Sequence, residues 1–202
     1  MPIRGAMHGA ASNARDLRPK NIVCHGNSLT AGASASIPYP AALATLRPSD
    51  TITNAGTSGI ETPALTAEFS TVVNPLKSGT KRNIVVMWEF INDMQKNQPT
   101  VTDAVGLQHY KDYATNAATF PGWELLVLNS TPANNAPSTE SIRISFNSLL
   151  ANDHAWASGF VDVGNDPLFV GFDPAVYFDT IHFKNPGYER IAEIVSAFLD
   201  TM

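Results

Sequence analysis

The sequence predicts a single α/β domain, a three-layer α/β/α sandwich built on a central parallel sheet. Three observations carry that reading. Apolar runs alternate with helical patterns from about residue 21 to the C-terminus. The runs are apolar on both faces, as strands of a parallel sheet covered by helices must be. The 202 residues, 44% hydrophobic and 15% charged, supply enough material for a real core without disulfide staples.

The elements come in order. Residues 21–25 form a short apolar run stopped by Gly26, the signal of a buried strand. Residues 39–46 are Ala-rich and helical, ending before Pro48, and residues 51–54 are a short second strand. Residues 62–76 fit a helix with Pro63 in its first turn. "NIVVMWEF", 83–90, is the strongest strand in the chain. A helix over 104–120 closes at Pro121-Gly122, and "WELLVLNS", 123–130, is again a wholly apolar strand. Residues 138–152 are helical with Ser138 placed as N-cap, and 159–163 are a short strand. "NPGYERIAEIVSAFLD" ends the chain as an amphipathic helix with Asn185 at N-cap and Pro186 at N1. The domain therefore spans 21–202, and residues 1–20 read as a loose arm or a segment foreign to the domain.

In an open parallel sheet, ligands bind outside the carboxyl ends of the strands. The residues just past each strand are Gly26-Asn27-Ser28, then Asn54-Ala55-Gly56, then Phe90-Ile91-Asn92-Asp93. A late loop before the last helix adds Asp179-Thr180-Ile181-His182. Together these hold the parts of an acyl-transfer site. A serine hydroxyl such as Ser28 needs a base within hydrogen-bond reach, and the His182 imidazole is the candidate. Asp179, three residues earlier, can fold back onto the imidazole Nδ1 and fix its tautomer. A developing oxyanion needs donors, for which the Gly56 N–H, the Asn92 carboxamide and the Ser28 N–H are the candidates. Asp93 reads as a brace for its loop.

These residues resemble a known family. "GNSLT" looks like the GDSL block of the SGNH/GDSL hydrolases, with Asn27 where the family has Asp. Gly56, Asn92 and the Asp179-x-x-His182 pair match the remaining blocks in order, and "HFKNPGYERIA" resembles the segment that begins at the family's histidine. Phe90 stands where the third block usually has Gly, a place from which its ring would reshape the acyl pocket. The resemblance implies the SGNH-hydrolase, flavodoxin-like fold and a serine esterase with triad Ser28, His182 and Asp179. Its oxyanion hole would be Ser28, Gly56 and Asn92, and no cofactor would be required. Phe90, Phe172 and Tyr177 are candidates for the substrate pocket. The family's range implies short-chain esters, carbohydrate O-acetyl groups among them. Alternatives are a lysophospholipase- or thioesterase-like hydrolase, or a glycan-binding module that kept the fold and lost turnover.

Composition narrows the remaining classes. The net charge of −5, with basic residues scattered, leaves no stripe for nucleic acid. A Gly-rich phosphate loop does not fit, because the spacing is wrong and Ala33, not Lys, directly follows Gly32. Cys24 is the single cysteine and lies in an apolar run, where a buried inert thiol is expected. His8, His25, His109 and His154 lack sequence partners comparable to Asp179, and no metal site is expected. No stretch approaches a membrane span and the first twenty residues lack a signal-peptide core, so a soluble protein is expected. Its compartment (cytoplasmic, or secreted after loss of a leader) and its oligomeric state stay open.

Overall fold

The computed structural model describes residues 18–97, 100–134 and 137–202, without the side chains of Pro137 and Ser138. Five strands, β1 (Lys20–Gly26), β2 (Thr51–Gly56), β3 (Arg82–Trp88), β4 (Trp123–Leu128) and β5 (Gly159–Val161), form one sheet in the order β2-β1-β3-β4-β5. Every pairing is parallel. The helices are α1 (Ser28–Ala31), α2 (Tyr39–Leu46), α3 (Thr62–Glu68), α4 (Ile91–Lys96), α5 (Asp103–Ala118), α6 (Pro137–Asn152) and α7 (Asn185–Leu199). The result is the three-layer sandwich expected.

Pleating explains why the central runs are apolar throughout. Successive residues of β1 face opposite layers: Cys24 meets Tyr39 of α2, while His25 meets Tyr113 of α5. Ile22, Val23 and Cys24 of β1, residues 84–87 of β3 and 126–128 of β4 are all completely buried. Only β2, at a sheet edge, leaves most of its residues partly exposed. The order reverses between β1 and β3, so the crevice for chemistry opens where these two strands end.

Several boundaries differ from the sequence reading. Lys20 belongs to β1 and is buried, so the arm stops before it; residues 1–17, which include His8, lie outside the described residues. The helix expected over 62–76 is regular only to Glu68, then widens to a π turn at Phe69–Val73 and tightens to a 3₁₀ turn at Asn74–Leu76. Pro75 has no N–H for the ladder, and the wide turn keeps Phe69 and Val73 buried. Strand β5 stops at Val161 because the Asn129 side chain accepts the N–H groups of Val163 and Gly164, at 2.8 and 2.6 Å. Helix α6 begins at Pro137, one residue before the expected cap, and the Ser138 side chain is outside the described residues. Lys184, not Asn185, is the N-cap of α7; Asn185 Oδ1 instead accepts from the backbone N–H groups of Ser36 and Ile37, both at 3.1 Å.

Candidate active site

β1 ends at Gly26, where an added Cβ would overlap the Trp88 carbonyl oxygen and the Thr30 hydroxyl. Asn27 then caps α1: its Oδ1 accepts the Leu29 N–H at 2.8 Å. Ser28 is thereby the first residue of the four-residue α1, which Gly32 closes in the left-handed conformation (φ 86°). The Ser28 N–H precedes the intrahelical ladder and donates to no acceptor among the described residues.

From the loop before α7, His182 presents Nε2 to Ser28 Oγ at 2.9 Å. Its Nδ1 meets Asp179 Oδ2 at 2.8 Å. Asp179 Oδ1 accepts the N–H groups of Ile181 and His182 at 2.8 and 2.7 Å, folding the Asp-x-x-His segment into a closed turn. Partial burial pushes the Asp179 carboxyl upward, but the His182 amide and ring and the Ile181 amide outweigh it and hold it below its ordinary value. An ionised Asp179 keeps the proton on Nδ1 and leaves Nε2 free to accept from the serine.

Ser28 and His182 line a cavity of about 400 Å³, together with Ala33, Ser58, Gly59, Ile91, Asn92, Gln95 and Ile181. Asn92 is held with one carboxamide hydrogen donated to the Ile60 carbonyl at 2.9 Å, which leaves the other available. Gly56, expected as an oxyanion donor, is not part of this lining. Its N–H is donated to Asn54 Oδ1 at 3.0 Å, and its missing Cβ makes room for the Ala31 backbone. Gly59, three residues further on, takes the position on the cavity wall. It has φ +77°, its carbonyl accepts from Lys96 Nζ, and its N–H has no acceptor among the described residues. The Ser58-Gly59 dipeptide is a turn signal, and the sequence reading did not single it out.

The aromatic candidates do not line this cavity either. Phe90 is completely buried and stacks on Phe146 with ring centroids 3.8 Å apart. Its φ of +106° lies in the region that favours glycine, yet the ring turns into the core between α5 and α6. Tyr177 is buried with its hydroxyl 3.3 and 3.2 Å from the Pro132 and Phe169 carbonyls, either of which can accept its hydrogen, and Phe172 packs against it. The apolar lining comes instead from Ile91, Ile181 and Ala33.

Behind the cavity lies a charged cluster that sequence spacing did not reveal. Glu89, 1% exposed, sits between β3 and Phe90. Burial, then the Asp93 charge, pushes its carboxyl up to about 8, against the pull of Asn27 and the Asn92 and Phe90 amides. Asp93 Oδ1 accepts the Thr62 N–H and its Oδ2 meets His109 Nδ1, each at 2.8 Å. His109 therefore does have a carboxylate partner, supplied across the fold, and the Asp93 hydrogen bond raises its pKa despite burial. His25 is completely buried, pairs with the Tyr113 hydroxyl at 2.8 Å and is not part of the cavity lining. His154 stacks on Phe160 and meets the Leu150 carbonyl.

The fold that carries this geometry has clear counterparts among solved structures. A member of the lipolytic protein G-D-S-L family from Veillonella parvula matches with TM-score 0.70 and 16% identity, over 87% of this chain and 96% of that one. A catalytic mutant of an acetylxylan esterase from Geobacillus stearothermophilus matches with TM-score 0.68 and 15% identity, over 89% and 93%. A GDSL-like lipase from Bacteroides thetaiotaomicron matches with TM-score 0.66 and 20% identity, over 90% and 88%. The chain thus has the fold of the GDSL lipolytic proteins. No family model and no curated protein matches its sequence. Among the described residues, no helix is long and apolar enough to cross a membrane.

Proposed function

We propose that the chain is a serine esterase of the SGNH/GDSL type, hydrolysing carboxylic esters with short acyl groups through an acyl-enzyme. The observation that carries this reading is the continuous relay from Ser28 Oγ to His182 Nε2 and from Nδ1 to Asp179, at 2.9 and 2.8 Å. His182 takes the Ser28 proton as Oγ attacks the ester carbonyl carbon. The tetrahedral oxyanion is held by the Ser28 N–H, the Asn92 carboxamide and the Gly59 N–H. Collapse expels the alcohol, which leaves with the proton from His182. Water then enters, gives its proton to His182, and attacks the acyl carbon to release the acid and restore Ser28.

Short acyl groups are supported by a modest cavity whose apolar part is only Ile91, Ile181 and Ala33. Ser58 and Gln95 on the same wall favour an alcohol portion rich in hydroxyls, and we propose O-acetylated carbohydrate as the leading substrate class. The acetylxylan esterase among the structural counterparts is consistent with that choice.

The test is hydrolysis of chromogenic esters in an acyl-length series, and then of acetylated oligosaccharides and lysolipids, by wild type and Ser28→Ala. The expected result is a maximum at acetate and a loss of at least about 10³-fold in Ser28→Ala. Equal hydrolysis by both proteins removes Ser28 from the mechanism, and a maximum at long chains replaces the short-acyl reading.

A further inference from the structure

We propose that Glu89 is a positioning residue that sets the nucleophile turn and the oxyanion donors in one frame, a role that rests on the serine-esterase reading above. Its Oε1 accepts from Asn27 Nδ2 at 3.0 Å and from the Asn92 N–H at 2.9 Å. Its Oε2 accepts from the Phe90 N–H and from the Thr62 hydroxyl, the latter at 3.3 Å. These donors come from three separate stretches of chain. Asn27 immediately precedes the nucleophile, Thr62 lies three residues after Gly59, and Asn92 carries the carboxamide donor itself. Every group proposed to face the oxyanion is therefore anchored, within three residues, on one buried carboxyl. The N–H donors are satisfied in either ionisation state, since the Thr62 hydroxyl can turn to accept from a protonated acid.

Glu89 touches none of the reacting atoms, so its effect is exerted through alignment. An oxyanion donor acts only if it already points where charge will develop, and losing one costs about 10²–10³ in rate. The polarity of the Asn27 contact is also fixed from the other side. Asn27 Oδ1 is committed to the Leu29 N–H, so its Nδ2 must face position 89, and an acceptor must stand there. An exchanged pair, Asn27→Asp with Glu89→Gln, keeps one acid and one amide in contact with donor and acceptor reversed. Asp at 27 would still cap α1, while the Asn92 N–H would lose its acceptor.

The experiment measures kcat and KM on a chromogenic acetate ester for wild type, Glu89→Gln, Asn27→Asp, the exchanged pair and Ser28→Ala, with thermal melts of each. Rates of the proteins that keep Ser28 are counted per serine titrated by a fluorophosphonate, which removes any unfolded fraction from the comparison, and that of Ser28→Ala is counted per mole of protein. Glu89→Gln and Asn27→Asp are each expected to lower kcat about 10²-fold with KM within threefold. The exchanged pair is expected to recover at least tenfold over Glu89→Gln while staying below wild type. A kcat for Glu89→Gln within threefold of wild type overturns the proposal, as does an exchanged pair with no recovery. Should Glu89→Gln alone melt below the assay temperature, the exchanged pair decides: a reduced kcat at unchanged KM supports the role, and a wild-type kcat overturns it. Undiminished hydrolysis by Ser28→Ala would instead remove the esterase reading itself, whereas an inactive Ser28→Ala beside a wild-type-like Glu89→Gln removes only the role of Glu89.

Discussion

Asp179 divides its two oxygens between structure and chemistry. Oδ1 takes two backbone N–H groups and closes the loop, while Oδ2 takes the His182 ring. Asn at this position can keep the first task only by turning its NH₂ toward Nδ1. A donor there makes Nδ1 an acceptor and moves the ring proton to Nε2, where it faces the serine and cannot accept from it. Asp179→Asn is therefore expected to lose about 10³–10⁴ in kcat with its melting temperature little changed. An unchanged rate in a variant for which His182→Ala is inactive would assign the orienting task to another group. The spacing of this pair made it legible in sequence, because both members lie in one turn. Gly59 was not legible in the same way: choosing between it and Gly56 depends on which N–H the Asn54 side chain consumes, a contact that spacing does not encode.

At the scale of elements, the junction of β3 and α4 shows how tertiary packing overrode a local pattern. The apolar run continues through Phe90, yet the strand stops at Trp88 and Phe90 turns to φ +106°. A non-glycine residue in that region costs on the order of 1–3 kcal/mol. Burial of the ring against Phe146 and Gly106 offsets it, since removing a buried Phe costs about 3–5 kcal/mol. Burial is the larger effect, so Phe90→Gly is expected to destabilise by about 2 kcal/mol despite relieving the backbone. Gly106 complements it: a Cβ there would overlap the Phe90 ring. Gly106→Ala should destabilise wild type, but in the Phe90→Gly background it should gain about 1 kcal/mol from helix propensity. Chemical denaturation of the four proteins reads the coupling, and additive effects would show that the ring and the glycine do not constrain each other.

The whole molecule was legible in outline because buried parallel strands leave a strong apolar signal and the helices between them leave a periodic one. What the outline did not contain is the polar interior. Glu89 lies inside the strongest apolar run, where local patterning reads it as an interruption, and His109 finds Asp93 only because the folded chain brings α4 and α5 together. His25 is the buried group whose effect on stability burial alone sets. It is fully enclosed, its Nε2 has no partner, and burial pushes its pKa from 6.5 down to about 4. Between those values the unfolded chain binds a proton that the folded one does not, so stability is lost as pH falls from about 6.5 through about 4. Glu89 acts in the opposite sense: pushed by burial and Asp93 from 4.5 to about 8, it contributes stability that is present below 4.5 and lost as pH rises through about 8. The two slopes offset one another between about pH 4.5 and 6.5, so the wild-type curve alone does not isolate either group. His25→Gln keeps an acceptor for the Tyr113 hydroxyl and removes the titration. Urea unfolding at pH 7 and pH 5 should show the stability difference between wild type and this variant shifting by about 2 kcal/mol against wild type at the lower pH. A difference that stays constant with pH would mean that the buried imidazole takes up its proton as readily in the folded protein as in the unfolded chain.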